Sequence, residues 1–201
     1  ENFIRLLYPK KGRVPTLGPC QNPDKKEVAR QRFLPRYDCK LEHFEQEMEM
    51  NYDEFVSYLL KKYGPAKYDY FTNATCKTKS KRISRTKEGL FCHHIDEDKG
   101  YMLSRTGCAL EQPFEYQKAE RLVYCNYIEH LLLHILIGKN AFWSKRQKLI
   151  APKQFSYFIV PGVSYICSEI NLLYDQNGSS VEWRNRCFKE IENNFEDYIY
   201  I

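Results

Sequence analysis

The chain has 201 residues, of which 43% are hydrophobic and 15% aromatic. That composition supplies enough apolar side chains for a core and excludes a wholly disordered chain. The formal net charge of +5 permits an anionic partner but does not require one. The longest apolar run, at 131–138, is less than half of what a bilayer requires, so we expect no membrane span.

The cysteines are spread along the chain without a CxxC pair, and their spacing fits no common zinc ribbon or finger. A chain of this length does not need disulfides in order to fold, so we expect its thiols to be mostly reduced. No leader segment is evident at the start. These features predict a cytoplasmic protein and leave a secreted toxin domain open.

Residues 1–40 are rich in Pro, Lys and Arg and predict an irregular basic arm with one short helical piece at 25–33. The pattern then becomes helical. Asn51 and Glu54 have the spacing of a capping box, in which each residue bonds the backbone N–H of the other. Gly64, followed at once by proline, predicts the end of this helix.

A basic stretch, CKTKSKRISRTK at 76–87, carries too few apolar residues to form a core segment. Such a run is usually a solvated loop, but beside a nuclease-like site it predicts contacts with backbone phosphates. The candidate residues here are Lys77, Lys79, Lys81, Arg82, Arg85 and Lys87. A second basic segment follows the apolar run and adds Lys145 and Arg146.

The segment Leu90–Ile95 predicts a strand, and the acidic sequence after it predicts a turn. We interpret the carboxylates at 96–98 as part of that polar turn, with Mg²⁺ binding as the alternative. Tyr101–Ser104 is the expected antiparallel partner. Residues 114–137 then predict one long helix, buried in its second half and stopped by Gly138.

Two further elements are predicted near the C-terminus. The sequence FSYFIVPGVSYI at 155–166 favours an apolar strand broken by Pro161 and Gly162. Residues 182–198 predict a final amphipathic helix. Since no linker is evident after the arm, we expect 41–201 to form a single domain.

Four of the five histidines lie in two short stretches, GLFCHHIDEDKG and HLLLH. On a helix, His130 and His134 are one turn apart on the same face and can chelate one divalent ion. The helix is apolar nearly all round, so both imidazoles should be buried and need partners. Two separate core histidines, each bonded to a carbonyl, are the alternative. The pair His93–His94 at the end of a strand favours a common site.

The order of these motifs resembles the HNH endonucleases, also called ββα-metal or His-Me finger nucleases. LFCHHIDE and RLVYCNYIEHLLLH carry the likeness, which covers 90–136, about a quarter of the chain. The histidine layout is similar to that of colicin-type DNases. The resemblance implies an α+β fold in which a ββα-metal (HNH) core at about 88–138 is embedded in a mostly helical domain.

The resemblance also implies a role for each histidine. His94 would be the general base, and His93, His130 and His134 would bind one divalent ion, either Mg²⁺, Mn²⁺, Zn²⁺ or Ni²⁺. A cation held by neutral imidazoles keeps its full charge to offset the charge of a phosphodiester transition state. A neutral histidine can also accept a proton near neutral pH.

The chain departs from the family at its middle asparagine, which would fall near Arg121. A guanidinium cannot accept a hydrogen bond, so the residue that ties the loop to the helix is left open. Asn126 and Glu129 are candidates for supporting contacts with the imidazoles. For Glu129, a solvated helix position is the alternative.

These expectations add up to a metal-dependent endonuclease that hydrolyses DNA phosphodiester bonds. RNA as the substrate, a toxin with an acidic immunity protein and a homodimeric restriction enzyme all stay open. The alternative from another class is a nucleic-acid-binding module whose metal is purely structural.

Overall fold

The computed structural model describes residues 49–143 and 160–201, and only the backbone of 140–143. The predicted arm at 1–40 and the cationic residues Lys145 and Arg146 lie outside the described residues. The described part is a mixed α+β structure with one two-stranded antiparallel sheet. Its strands and helices are α1 Tyr52–Tyr63, β1 Phe91–His94, α2 Thr106–Leu110, β2 Leu122–Cys125, α3 Tyr127–Trp143, α4 Val160–Asp175, α5 Glu182–Lys189 and α6 Phe195–Tyr200.

The first helix, α1, forms as its capping signals predict. The Asn51 side chain accepts the Glu54 N–H at 3.0 Å, and the Glu54 carboxylate accepts the Asn51 N–H at 2.8 Å. Gly64 ends the helix at a positive φ of 75°, and its N–H bonds the Leu60 carbonyl. The prediction of this helix is therefore confirmed.

The strand predicted at Leu90–Ile95 is also present, as β1, but its predicted partner is wrong. Tyr101–Ser104 is not a strand. β1 instead pairs with β2, and His94 lies opposite Leu122. The residues after β1 form a tight 3₁₀ turn, Ile95–Asp98, so the chain leaves the sheet and returns only after a long loop.

The helix predicted at 114–137 is likewise wrong in its first half. Residues Phe114–Gln117 and Ala119–Arg121 form short 3₁₀ turns, and β2 follows them. α3 begins at Tyr127 and continues through Gly138 to Trp143. Every residue of β2 is buried, so its sequence lacks the alternation of polar and apolar positions that distinguishes a strand from a buried helix.

Two corrections apply to the C-terminal part. The described portion of the strand predicted at 155–166 belongs to α4, whose Pro161 lies in the first turn, where a missing N–H costs little. The single helix predicted at 182–198 is two helices, α5 and α6. The chain turns between them at Ile191, whose carbonyl accepts the hydroxyl hydrogen of Tyr174.

The sheet separates two apolar clusters, because neighbouring strand residues point to opposite faces. Val123 and Cys125 face a cluster formed by α1, α3, α4 and the C-terminal helices. Leu122 and Tyr124 face a second cluster that includes Tyr70 and Phe71. The register places His93 on the first face and His94 on the second.

In the described part of the chain, no helix has both the length and the apolar character needed to cross a membrane. The cysteines within these residues are free thiols, at positions 76, 92, 108, 125, 167 and 187.

Candidate metal centre

His93 is held by α1 in a single tautomer. Its Nε2 lies 3.1 Å from the Tyr52 hydroxyl, and that hydroxyl donates its own hydrogen to the Ile95 carbonyl at 2.9 Å. Since the hydroxyl hydrogen is already used, the tyrosine oxygen must accept from His93 Nε2–H. The lone pair of His93 is therefore on Nδ1, on the other side of the ring.

His130 and His134 lie one turn apart on α3, as their spacing predicts, and their Nε2 atoms are 3.3 Å apart. Both rings meet His93 edge to face, with centroids 5.3 Å from its ring. One nitrogen from each of the three histidines lies within 4.8 Å of the others. The predicted convergence of His93, His130 and His134 is therefore confirmed, and this group could hold a metal ion.

The donor atoms fit a divalent ion in two respects. Two nitrogens bound to one tetrahedral ion at about 2.0–2.1 Å are about 3.3 Å apart, which is the separation of the α3 pair. His93 Nδ1 is buried and has no hydrogen-bond partner. A buried lone pair without a partner lowers the free energy of unfolding by roughly 1–3 kcal/mol. A histidine in this position therefore points to a partner such as a cation.

His94 lies on the opposite face of β1 and is fixed by Gln117. The Gln117 amide donates to the Leu103 carbonyl at 3.2 Å, which turns its oxygen toward His94 Nε2 at 2.9 Å. His94 must then donate from Nε2, and its lone pair is on Nδ1. The Tyr70 ring packs against the imidazole at 4.4 Å between centroids.

Glu97, on the 3₁₀ turn after β1, joins the two faces of the site. Its Oε2 lies 3.6 Å from His93 Nδ1 and 3.5 Å from His134 Nε2. Its Oε1 lies 4.0 Å from His94 Nδ1. The turn makes this possible, because three or four residues along a helical turn bring side chains back to the same side.

The surroundings hold the four imidazoles neutral. Burial lowers the pKa of His94 and of His134 to about 4. Burial, aided by the neighbouring rings, holds the pKa of His93 and of His130 well below the usual range. Burial also raises the pKa of Glu97 to about 7. Neutral imidazoles are the form that binds metals.

The cluster opens into a cleft of about 750 Å³. Lys79 lines this cleft and contacts the Tyr70 hydroxyl at 3.2 Å. Arg105 lines it too, although the sequence did not single it out. Tyr165 of α4 contributes a ring that is 66% exposed. Cationic and aromatic groups therefore border the histidines.

The other predicted cations of the basic stretch at 76–87, all of which the structure describes, do not line this cleft. Arg82 and Arg85 border a separate cavity of about 390 Å³, where Arg85 pairs with Glu88 and donates to the Tyr63 carbonyl. Lys77, Lys81 and Lys87 are exposed on the basic stretch. Of that stretch, only Lys79 lies beside the histidines.

The three candidate supporting residues have other contacts. Asn126 and Glu129 form a second capping box, at the start of α3. The Glu129 carboxylate also accepts from Lys62 at 2.6 Å. Arg121 binds buried Asp96 in the turn after β1, with Nε 2.6 Å from Oδ2. It therefore ties that turn to the start of β2.

The sequence did not single out Tyr52 and Gln117 and gave no local signal for either. Each acts across a long separation, of 41 and 23 residues. Glu97 did carry a signal, since it lies four residues after His93 and three after His94. The interpretation of Glu97 as part of a polar turn did not predict that its side chain is only 15% exposed.

Comparisons of this chain with protein-family models, with curated proteins and with solved structures found no match.

Proposed function

We propose that the protein is a metal-dependent endonuclease of the HNH type that hydrolyses phosphodiester bonds in DNA. One observation carries the proposal. Two adjacent histidines, His93 and His94, each present an Nδ1 lone pair to the same carboxylate from opposite faces of one strand. One lone pair belongs to the trio that could hold an ion, and the other is left for a proton.

The order of elements supports the proposal. β1, β2 and α3 occur in the order of a ββα-metal core, with the short helix α2 in the long loop between the two strands, and the histidines lie at the end of β1 and on α3. Lys79 and Arg105 at the cleft supply positive charge for a phosphate backbone. Gln117 holds His94 and the loop at Leu103 together, and we propose it in place of the family's middle asparagine.

The proposed reaction divides the work between the two histidine sites. His93, His130 and His134 would hold a divalent ion, which would supply positive charge for the phosphorane-like transition state and the leaving oxygen. His94 Nδ1 accepts the proton of the attacking water as the water oxygen bonds phosphorus and the bond from phosphorus to the leaving oxygen breaks. Gln117 keeps the opposite ring nitrogen of His94 protonated. Lys79 and Arg105 hold the flanking phosphates.

The test is cleavage of supercoiled plasmid by the full chain after EDTA treatment, with Mg²⁺, Mn²⁺, Zn²⁺ or Ni²⁺ added back. We expect cleavage to need metal and to be lost in His94→Ala, while metal binding survives. His130→Ala should lose both. Cleavage by His94→Ala at the native rate would remove His94 as the base.

The second candidate is a nucleic-acid-binding module with a structural metal. It is favoured by the burial of His93, which is only 2% exposed. It predicts DNA binding without cleavage under any metal, and unfolding on chelation. RNA and DNA substrates tried side by side separate a ribonuclease from the DNA enzyme.

A further inference from the structure

Glu97 is a carboxylate placed among imidazoles, with its two oxygens turned toward different rings. The Ile95–Asp98 turn carries it back over the end of β1. Its Oε2 lies between His93 Nδ1 at 3.6 Å and His134 Nε2 at 3.5 Å. Both distances exceed an ordinary hydrogen bond, so the oxygen faces these nitrogens without bonding them.

The carboxylate faces only histidines at ion-pair distance among the residues that the structure describes. The neighbouring acid, Asp96, by contrast, pairs with Arg121 and Lys99. A buried carboxylate without a cation is costly, because it leaves water without gaining an opposite charge. One cation among these donors would balance the negative charge of the carboxylate and accept the lone pair of His93 Nδ1.

The separations also suit shared coordination. Oxygen and nitrogen ligands at about 2.0–2.2 Å from one tetrahedral ion lie about 3.3–3.5 Å apart. The Glu97 oxygen meets that spacing to two of the three imidazoles within about 0.3 Å. His130 Nε2 adds the third edge, at 3.3 Å from His134 Nε2.

We propose that Glu97 is the fourth protein ligand of the ion held by His93, His130 and His134. The inference rests on the metal site of the proposed function and not on nuclease activity. Four protein ligands fill a tetrahedral shell, so the proposed cleavage would require the ion to accept the phosphate oxygen as a fifth ligand, as some catalytic zinc sites do in the transition state. The resemblance to HNH enzymes does not include this residue. Three imidazoles and one carboxylate form a mixed nitrogen and oxygen set, which favours Zn²⁺, Co²⁺, Ni²⁺ or Mn²⁺ over Mg²⁺.

With this ligand set, two neighbouring residues of the Ile95–Asp98 turn have different roles. Asp96 anchors the turn to Arg121, with its carboxylate buried and bonded. Glu97, next in sequence, then presents its oxygens to the imidazoles. The Asp96–Arg121 contact therefore positions a ligand as well as a loop.

The experiment is titration of the metal-free full chain with Co²⁺, read by calorimetry and by the visible absorption of the bound ion. Wild type should bind one Co²⁺. Glu97→Gln, which keeps the shape and removes the charge, should bind at least about tenfold more weakly and shift the absorption bands. Glu120→Gln, an exposed residue outside the site, is the matched control and should behave as wild type.

Glu97→His supplies a different ligating atom at the same position and should recover part of the lost affinity. Circular dichroism checks that each variant is folded. An unchanged affinity and spectrum in Glu97→Gln would overturn the proposal, as would a wild-type chain that binds no Co²⁺. Binding that depends on Glu97 in a protein that cleaves no nucleic acid would support this inference while the nuclease proposal fails.

Discussion

The Tyr52 hydroxyl accepts a hydrogen bond from the Nε2–H of His93 and donates one to the Ile95 carbonyl. A residue of α1 thereby decides which nitrogen of a strand histidine carries the lone pair. The consequence extends to the whole cluster, because His93 Nδ1 faces the same Glu97 oxygen that lies 3.5 Å from His134 Nε2.

Tyr52→Phe should weaken metal binding without removing a ligand. The ring stays in place, but neither tautomer of His93 is then preferred by α1. We expect metal affinity to fall by about 10–100-fold, the usual effect of losing such a support. Calorimetry measures the affinity, and ¹⁵N shifts of the His93 ring report the tautomer.

The matched control for that variant is Tyr174→Phe. Tyr174 also donates to a backbone carbonyl, that of Ile191, and its ring packs against Phe188, Phe195 and Tyr198. Tyr174→Phe should lower the free energy of unfolding slightly and leave the metal affinity unchanged. Equal affinities in Tyr52→Phe and wild type would mean that the tyrosine only fills space.

Gln117→Leu should separate the proposed base from the metal. The variant leaves His94 Nε2–H and the Leu103 carbonyl without their partner, at a cost of about 1–3 kcal/mol in unfolding free energy. Cleavage should fall steeply while Co²⁺ affinity stays near wild type. Gln176→Leu, at an exposed turn residue directly after α4, is the control for the apolar substitution. A parallel loss of Co²⁺ binding would contradict the separation of the two sites.

The turn after β1 should depend on Asp96 and Arg121 more than on Lys99. Asp96→Asn removes the charge that Arg121 binds, and we expect unfolding free energy to fall by about 2 kcal/mol. Lys99 is half-exposed, so Lys99→Ala should cost less than about 1 kcal/mol. Denaturant titration of both variants and of Arg121→Ala tests this order. A larger loss for Lys99→Ala than for Arg121→Ala would reverse it.

Gly162→Ala should disturb the site from the side of α4. A Cβ at Gly162 would lie 3.1 Å from His134 Nδ1, tighter than an ordinary contact, so the imidazole must shift. We expect metal affinity to fall several-fold with little change in secondary structure. Gly107→Ala is the control, because a Cβ there meets nothing within 4 Å. Calorimetric titration compares the two, and tighter binding by Gly162→Ala would run against the prediction.

The metal-free protein should lose stability as the pH falls from about 6.5 to about 4. The folded pKa values of His94 and His134 are about 4, below the unfolded value of about 6.5, so the unfolded state binds more protons in this window. Each such histidine lowers unfolding free energy by about 1.4 kcal/mol per pH unit. His93 and His130, whose pKa values are also depressed by burial, add to the loss.

Glu97 opposes this trend, since its pKa of about 7 in the folded protein favours folding as the pH falls toward about 4.5. One carboxyl cannot balance four histidines, so the net slope keeps its sign. Denaturant titrations in EDTA across this range give the measurement. Added Zn²⁺ should raise stability near neutral pH and lose its effect in acid, where protons compete for the ligands. A flat profile in EDTA would show that the imidazoles are not buried neutral.

The sequence predicted the convergence of the metal trio because it depends on local rules. Helical spacing aligns His130 with His134, and the alternation of side chains along β1 turns His93 toward these two rings. The partner of β1 was out of reach for a different reason. Leu122–Cys125 is buried on both faces and continues into an apolar helix, so periodicity does not separate the two.

A boundary signal was nevertheless present. Asn126 and Glu129 repeat the spacing of Asn51 and Glu54, and both pairs form capping boxes in the structure. The first pair is evident in the sequence because it follows polar residues. The second lies inside an apolar run, where it marks the start of α3 and therefore leaves Leu122–Cys125 outside the helix. Contacts across the fold, such as that of Gln117 with His94, had no such signal.

The alternation of His93 and His94 across β1 has a consequence for folding. A slip of one residue between β1 and β2 would send each imidazole to the wrong side of the sheet. In a slipped chain His94, and not His93, would lie on the face of His130 and His134. The slipped chain would therefore lose the free energy that metal binding gives the correct pairing. An ion present during folding would therefore stabilise the native register of the two strands over a slipped one.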